Sequence, residues 1–187
     1  VKPGQELFEI RRLTTQELTA GDVDQIRELM RVAFEGDEHG GFSEEDWQHS
    51  IGGVHFILRL DGVLVAHASV VERELEISGA PIKTGYVEAV ATEPARQGQG
   101  YGTAVMREVN SYVTDGYALG ALGTGSQGFY ERLGWQIWRG PTGVRTPTGV
   151  QRTADEDGYI LVLPTPSSPA LDLDALITCG WRPGDVW

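Results

Sequence analysis

Between Gly85 and Thr114 an apolar run, a glycine-rich turn and a helical pattern follow one another directly, and few folds accept that order. Tyr86 to Ala91 is apolar apart from Glu88. Pro94 ends the run, because proline cannot donate to a sheet ladder, so the segment reads as a buried strand. From Gly102 onward Ala104, Val105, Val109, Tyr112 and Val113 recur at helical spacing, with Arg107 and Glu108 on the other side, which predicts an amphipathic helix. Gln97, Gly98, Gln99, Gly100, Tyr101 and Gly102 lie between, with glycines on alternate positions where the helix should begin. Bare backbone there lets a ligand approach closely. The unpaired N–H groups and the positive end of the helix dipole favour an anion, and a pyrophosphate fits.

A Walker loop needs Gly-Lys-Ser/Thr after a four-residue gap, and a dinucleotide fingerprint needs Gly-x-Gly-x-x-Gly; neither occurs in this stretch. Gln97-x-x-Gly100-x-Gly102 after an apolar strand instead resembles the acyl-CoA loop of the GNAT superfamily of N-acyltransferases. Further on, Ser126-Gln127-Gly128-Phe129-Tyr130-Glu131-Arg132-Leu133-Gly134-Trp135 resembles the second signature of that superfamily, a short helix bearing a tyrosine and closed by a glycine and an aromatic residue. The resemblance implies an α/β (α+β) fold in which a mixed central sheet is flanked by helices, here with an extra C-terminal hairpin and tail.

The chain has 187 residues, 40% of them hydrophobic, which suits a single domain spanning residues 1–187. It lacks any run of about 18 apolar residues, and Val1-Lys2-Pro3-Gly4-Gln5-Glu6 has no secretory pattern, so a soluble cytoplasmic protein is expected. The single cysteine, Cys179, cannot form an internal disulfide and is expected to be a packed thiol. A net charge of −12 disfavours nucleic acid and anionic membranes as partners and favours cations, although plain solubility accounts for it equally well. The acids cluster as Glu35-Gly36-Asp37-Glu38, Glu44-Glu45-Asp46, Asp155-Glu156-Asp157 and Asp172-x-Asp174.

Along the chain, Leu7 to Leu13 reads as a first strand. A helix with Asp22 as its N-cap then buries Ile26, Leu29, Met30, Ala33 and Phe34. Ser43-Glu44-Glu45-Asp46 offers a capping-box start to a short helix containing Trp47. Val54 to Leu60, Asp61-Gly62 and Val63 to Val71 read as a hairpin. Arg73 to Ile77 and the Ser78-Gly79 turn lead on to Tyr86 to Ala91. His55 and His67, within strands, read as satisfied histidines; no two histidines have metal-ligand spacing, so no metal is expected. Ala118 to Leu122 is the next strand. After Trp135, breaks at Gly140-Pro141, Pro147-Thr148-Gly149 and Asp157-Gly158 leave one further hairpin before the strand Ile160 to Leu163. Pro164 to Pro169 is a stiff connector, and both tryptophans of the ending, Trp181 and Trp187, are expected to dock.

The resemblance narrows further. Phe34-Glu35-Gly36-Asp37, Asp46-Trp47, Gly85-Tyr86-Val87-Glu88, Leu119-Gly120-Ala121-Leu122, Arg139-Gly140-Pro141 and Trp181-Arg182-Pro183-Gly184-Asp185-Val186-Trp187 resemble the aminoglycoside 2′-N-acetyltransferases of actinobacteria. The departures are an apparent insertion at Glu38 to Gly41 and a turn at Gly123-Thr124-Gly125-Ser126-Gln127 in place of a longer serine-rich one. The family implies acetyl-CoA as co-substrate, bound by Gln97 to Gly102, and suggests a homodimer. An amine must lose its proton before attacking a thioester, so the site needs an acceptor. Glu88, a carboxylate in an apolar strand, is the candidate; its alternative is a glutamate satisfied by a structural partner. By analogy with the superfamily the Val90 N–H meets the oxyanion. Tyr130 is placed to protonate the departing thiolate, and otherwise is a core tyrosine. The family also points to Asp37, Asp46, Glu88, Glu156 or Asp157, Asp185 and the terminal carboxylate of Trp187 as partners of the ammonium groups. Another amine acceptor on the same fold, or a non-catalytic acyl-CoA or drug-binding protein, are the competing readings.

Overall fold

Asp61 and Gly62 take successive left-handed angles, φ 50° and 83°, the pair that a two-residue hairpin turn requires. They join β2 (Val54–Leu60) to β3 (Val63–Ile77). The computed structural model describes residues 8–36 and 41–187. Leu7, and Asp37 with most of the expected insertion, lie outside the described residues. The chain divides into two units, one holding the residues up to Val71 with Glu88–Val109, the other Glu72–Val87 with Asn110–Trp187.

In the first unit β1 (Phe8–Thr14) pairs antiparallel with β2, Phe8 opposite Leu60 and Thr14 opposite Val54. The β2–β3 register shifts between Leu58 and Arg59. Two helices cover apolar side chains here: α1 (Ala20–Ala33) and α2 (Glu44–Ser50). Ile26, Leu29 and Met30 of α1 and Trp47 of α2 share a core with Ile57, Leu64 and Ala91. The N-cap of α1 is Thr19, not Asp22. The Thr19 hydroxyl accepts the Asp22 N–H at 3.1 Å and Asp22 accepts the Thr19 N–H at 3.0 Å, a reciprocal box that satisfies two helix-end donors. Asp22 also accepts from Arg59 at 2.7 Å, with both side chains largely buried. The expected box at Ser43 is present, Asp46 returning to the Ser43 N–H at 2.8 Å.

A second pair of positive φ angles, at Ser78 and Gly79, leads from β3 into β4 (Ala80–Thr92). β3 does not stop at Val71. It continues through Arg73–Ile77, because Glu72 and Glu74 are exposed while Leu75 is buried, the period-two alternation of a half-covered strand.

The second unit takes the far halves of β3 and β4 and adds β5 (Leu119–Gly123), α4 (Gln127–Glu131), β6 (Gln136–Ile137), β7 (Thr142–Thr146), β8 (Gly149–Arg152), β9 (Ile160–Pro164) and β10 (Ile177–Gly180). Its strand order is β6-β9-β5-β4-β3-β10-β7-β8. The sheet is mixed: β4–β5 and β7–β10 are parallel, whereas β5–β9, β3–β10 and β7–β8 are antiparallel. A third helix, α3 (Tyr101–Gly116), begins in the first unit and ends in the second. The sequence reading has no strand at β10; neighbours on both sides make it one. Gly140 permits a close approach nearby, since a Cβ there would lie 2.0 Å from the Ala175 carbonyl oxygen. Cys179 is fully buried, as expected of a packed thiol. The tail docks through one tryptophan only: Trp187 is 3% exposed and Trp181 is 61% exposed. Among the described residues no helix is long and apolar enough to cross a membrane.

Candidate active site

In the first unit the informative residue of β4 is Ala89, whose φ of 49° is left-handed. That conformation costs a side-chain-bearing residue about 1–2 kcal/mol, so the surroundings must hold it. Glu88, Ala89 and Val90 are successively half-buried, where a regular strand alternates between its faces. The carbonyls before and after the distortion are met by side chains of β3. Ser69 Oγ–H donates to the Glu88 carbonyl at 3.3 Å, and the Ala89 carbonyl lies 2.8 Å from His67 Nδ1. Glu93 N–H then bonds Val65 O at 2.9 Å. Glu88 and Val90 thus flank a built bulge in β4.

The glycine-rich loop follows. Gly98 and Gly100 have φ 73° and 91°, and among the described residues a Cβ at either would meet no atom within 4 Å. Their glycines are required by backbone conformation, and the space beside them is open. Gln97 and Gln99 turn back to the Thr92 and Ala95 carbonyls, both at 3.3 Å. Ala104 N–H bonds Gly100 O at 2.9 Å, so the amides before it precede the helical ladder and stand at the positive end of α3. An exposed strand-to-helix turn of this kind fits the pyrophosphate of a coenzyme A ester. Tyr101 points elsewhere: it is buried, with its ring edge-on to Phe8 at 6.2 Å. Asp46 uses Oδ2 as the cap partner of Ser43, accepting its N–H and its hydroxyl.

In the second unit Tyr130 sits on α4, 7% exposed, edge-on to Phe129 at 4.9 Å and Trp135 at 6.2 Å. Burial raises its hydroxyl to about 12, so it keeps its proton at neutral pH. Asn110 fixes the following turn, donating to Leu133 O and accepting from Trp135 Nε1, both at 2.9 Å.

One chain of hydrogen bonds links three of the expected ammonium partners in this unit. Trp187 Nε1–H donates to Thr153 Oγ1 at 2.9 Å, Thr153 Oγ1 lies 2.9 Å from Thr142 Oγ1, and that hydroxyl lies 2.9 Å from Asp157 Oδ1. Trp187 N–H in turn donates to Asp185 at 3.0 Å. Asp157 also accepts the Thr142 N–H at 2.9 Å and pairs with Arg152 at 2.8 Å. The Arg152 guanidinium first, and the Thr142 donors after it, hold its carboxyl down to about 2. Glu156 is half-buried beside it. Arg73 and Arg182 brace the tail. Arg73 donates to Val186 O at 2.8 Å and Gly180 O at 3.2 Å, and Arg182 donates to the main-chain oxygens of Asp185 and Trp187, each at 2.7 Å. Sequence reasoning missed Ala89, Thr153 and Arg73. An alanine gives no local sign of a left-handed angle, and the other two act through residues far along the chain.

An exposed glycine turn between strand and helix, on a mixed sheet, is the arrangement that an acyl-CoA-dependent transferase needs. The Acetyltransferase (GNAT) domain family matches residues 14–138, and the chain belongs to it. More narrowly, it is 42% identical over 188 residues to the aminoglycoside 2′-N-acetyltransferase of Mycolicibacterium fortuitum, covering 98% of this chain and 94% of that protein. Among solved structures it resembles a GNAT family acetyltransferase from Brucella melitensis in complex with acetyl-CoA, with a TM-score of 0.60 and 21% identity over 90% of this chain and 95% of that one. It also resembles a GCN5-related N-acetyltransferase from Kribbella flavida, with a TM-score of 0.57 and 20% identity over 72% of this chain, and spans only 34% of that longer chain.

Proposed function

We infer that this chain transfers the acetyl group of acetyl-CoA to the 2′-amine of aminoglycosides. The carrying observation is the 42% identity to an aminoglycoside 2′-N-acetyltransferase, which runs over nearly the whole of both chains. Acetyl-CoA supplies an activated thioester. Gly98 to Gly102 hold its pyrophosphate on open backbone, a role supported by the positive φ angles and vacant Cβ positions of Gly98 and Gly100. Glu88, half-buried beside the bulge, accepts the proton of the attacking amine, directly or through water. The Val90 N–H donates toward the negative charge that develops on the acetyl oxygen. Tyr130, protonated at neutral pH because it is buried, returns a proton to the departing thiolate.

The ammonium groups of the drug are met by Asp37, Asp46, Glu156 or Asp157, Asp185 and the Trp187 end of the tail. Electrostatics support this: the chain carries a net charge of −12, which also speaks against nucleic acid or an anionic membrane as partner. The whole chain is read as one acetyltransferase domain, since β3, β4 and α3 each run through both units. A cytoplasmic location, a homodimer and a part in antibiotic resistance complete the reading on family grounds. Free-thiol release measured against an aminoglycoside panel and a peptide panel tests it. Drugs with a 2′-amine, such as gentamicin or tobramycin, are expected to turn over, and kanamycin A, with a 2′-hydroxyl, to turn over poorly. Equal turnover of both classes, or acetyl mapped by NMR to another nitrogen, refutes it.

A further inference from the structure

Two fully buried histidines of the first unit, His55 on β2 and His67 on β3, are unused by the chemistry above. Their rings form a line: Thr15 Oγ1 to His55 Nε2 at 2.9 Å, His55 Nδ1 to His67 Nε2 at 3.0 Å, and His67 Nδ1 to the Ala89 carbonyl at 2.8 Å. A carbonyl oxygen only accepts, which assigns every proton in the line. His67 carries its hydrogen on Nδ1, so its Nε2 accepts. His55 therefore donates from Nδ1 and accepts at Nε2 from the Thr15 hydroxyl. Thr15 Oγ1 is anchored in turn by the Gly52 N–H at 2.8 Å. The line is directional and starts on backbone, and it ends on the one left-handed non-glycine residue of β4. Two residues along β3, on the same face, Ser69 holds the Glu88 carbonyl.

We propose that His67, oriented by His55 and Thr15, is a positioning residue for acetyl transfer: it holds the Ala89 carbonyl in the bulge and thereby sets the direction of the Glu88 side chain and the Val90 N–H. The proposal rests on the reading of Glu88 and Val90 given above. Without the Nδ1 donor the carbonyl loses its partner, and β4 relaxes toward a regular extended strand that re-aims both neighbours. The glycine loop is held by its own bonds and keeps its affinity for acetyl-CoA.

The test compares His67→Leu, which removes the donor, with His67→Asn, whose amide N–H occupies the Nδ1 position. His67→Leu is expected to lower kcat by at least about tenfold while the calorimetric Kd for acetyl-CoA stays within about threefold, and His67→Asn is expected to restore most of kcat. Unchanged kcat in His67→Leu, equal losses in both variants, or parallel loss of kcat and acetyl-CoA affinity overturns the proposal. Long-range 1H–15N NMR of the unsubstituted protein gives a second readout that needs no variant to fold: His67 is expected as the Nδ1–H tautomer, and the Nε2–H tautomer overturns the assignment. An unsubstituted enzyme that acetylates no aminoglycoside refutes the functional reading instead, a result distinct from an active enzyme indifferent to His67→Leu.

Discussion

Acid is expected to destabilise this protein well above the range where its carboxylates titrate. Burial lowers His55 to about 4 and His67 to about 3, the neighbouring ring adding to the shift at His67. Unfolded, each histidine returns to near 6.5. The folded values lie below the unfolded ones, so the stability linked to these groups is complete above about pH 6.5 and is lost as pH falls toward 4. Each pH unit in that window removes about 1.4 kcal/mol for every proton that the unfolded chain binds and the folded chain refuses. From about pH 7 to about pH 5 the loss is then roughly 2 kcal/mol per histidine and roughly 4 for the pair, a large share of the 5–15 kcal/mol typical of a domain. The shifted carboxylates act lower, since Asp22 and Asp157 both move below the ordinary carboxylate value, Asp157 to about 2. Urea unfolding at several pH values measures the slope directly. The doubly substituted His55→Gln/His67→Leu protein serves as control: it is expected to be less stable at neutral pH but nearly flat between about pH 7 and pH 5. Equal slopes in the two proteins refute the argument.

Gly100→Val places a β-branched residue at φ 91° in a loop where none of the described residues crowds it; calorimetric acetyl-CoA binding should fall at least about tenfold while the circular-dichroism spectrum survives. Glu88→Gln should lower kcat and remove the acidic limb of the pH–rate profile at nearly constant acetyl-CoA affinity, and an unchanged profile returns Glu88 to a structural role. Thr153→Val leaves the buried Trp187 indole N–H without its acceptor, a loss of about 1–3 kcal/mol by urea unfolding, with a higher aminoglycoside KM if the tail contacts the drug.

Features set by near neighbours in the chain were legible from the residues alone. Asp61-Gly62 specifies its turn because aspartate and glycine tolerate positive φ, and Ser43 with Asp46 forms a reciprocal cap because the third residue of a helix stands beside its N-cap. The glycine loop between strand and helix belongs with these, and with it the acyl-CoA reading. Even here a local ambiguity misled: Asp22 is as good a cap as Thr19 by composition, and its carboxylate is taken by Arg59, which the fold brings from β2. What tertiary structure decided involves partners far apart in sequence. Nothing about Ile177–Gly180 marks a strand until β3 and β7 flank it. Nothing distinguishes Trp187 from Trp181 until Thr153 offers an acceptor to one indole. Ala89 reads as an ordinary strand residue, and both its left-handed angle and the contact of its carbonyl with His67, twenty-two residues earlier, appear only in the folded chain. Local propensity is a property of a few consecutive residues, whereas a strained angle or a buried polar line is stable only where distant groups converge to satisfy it.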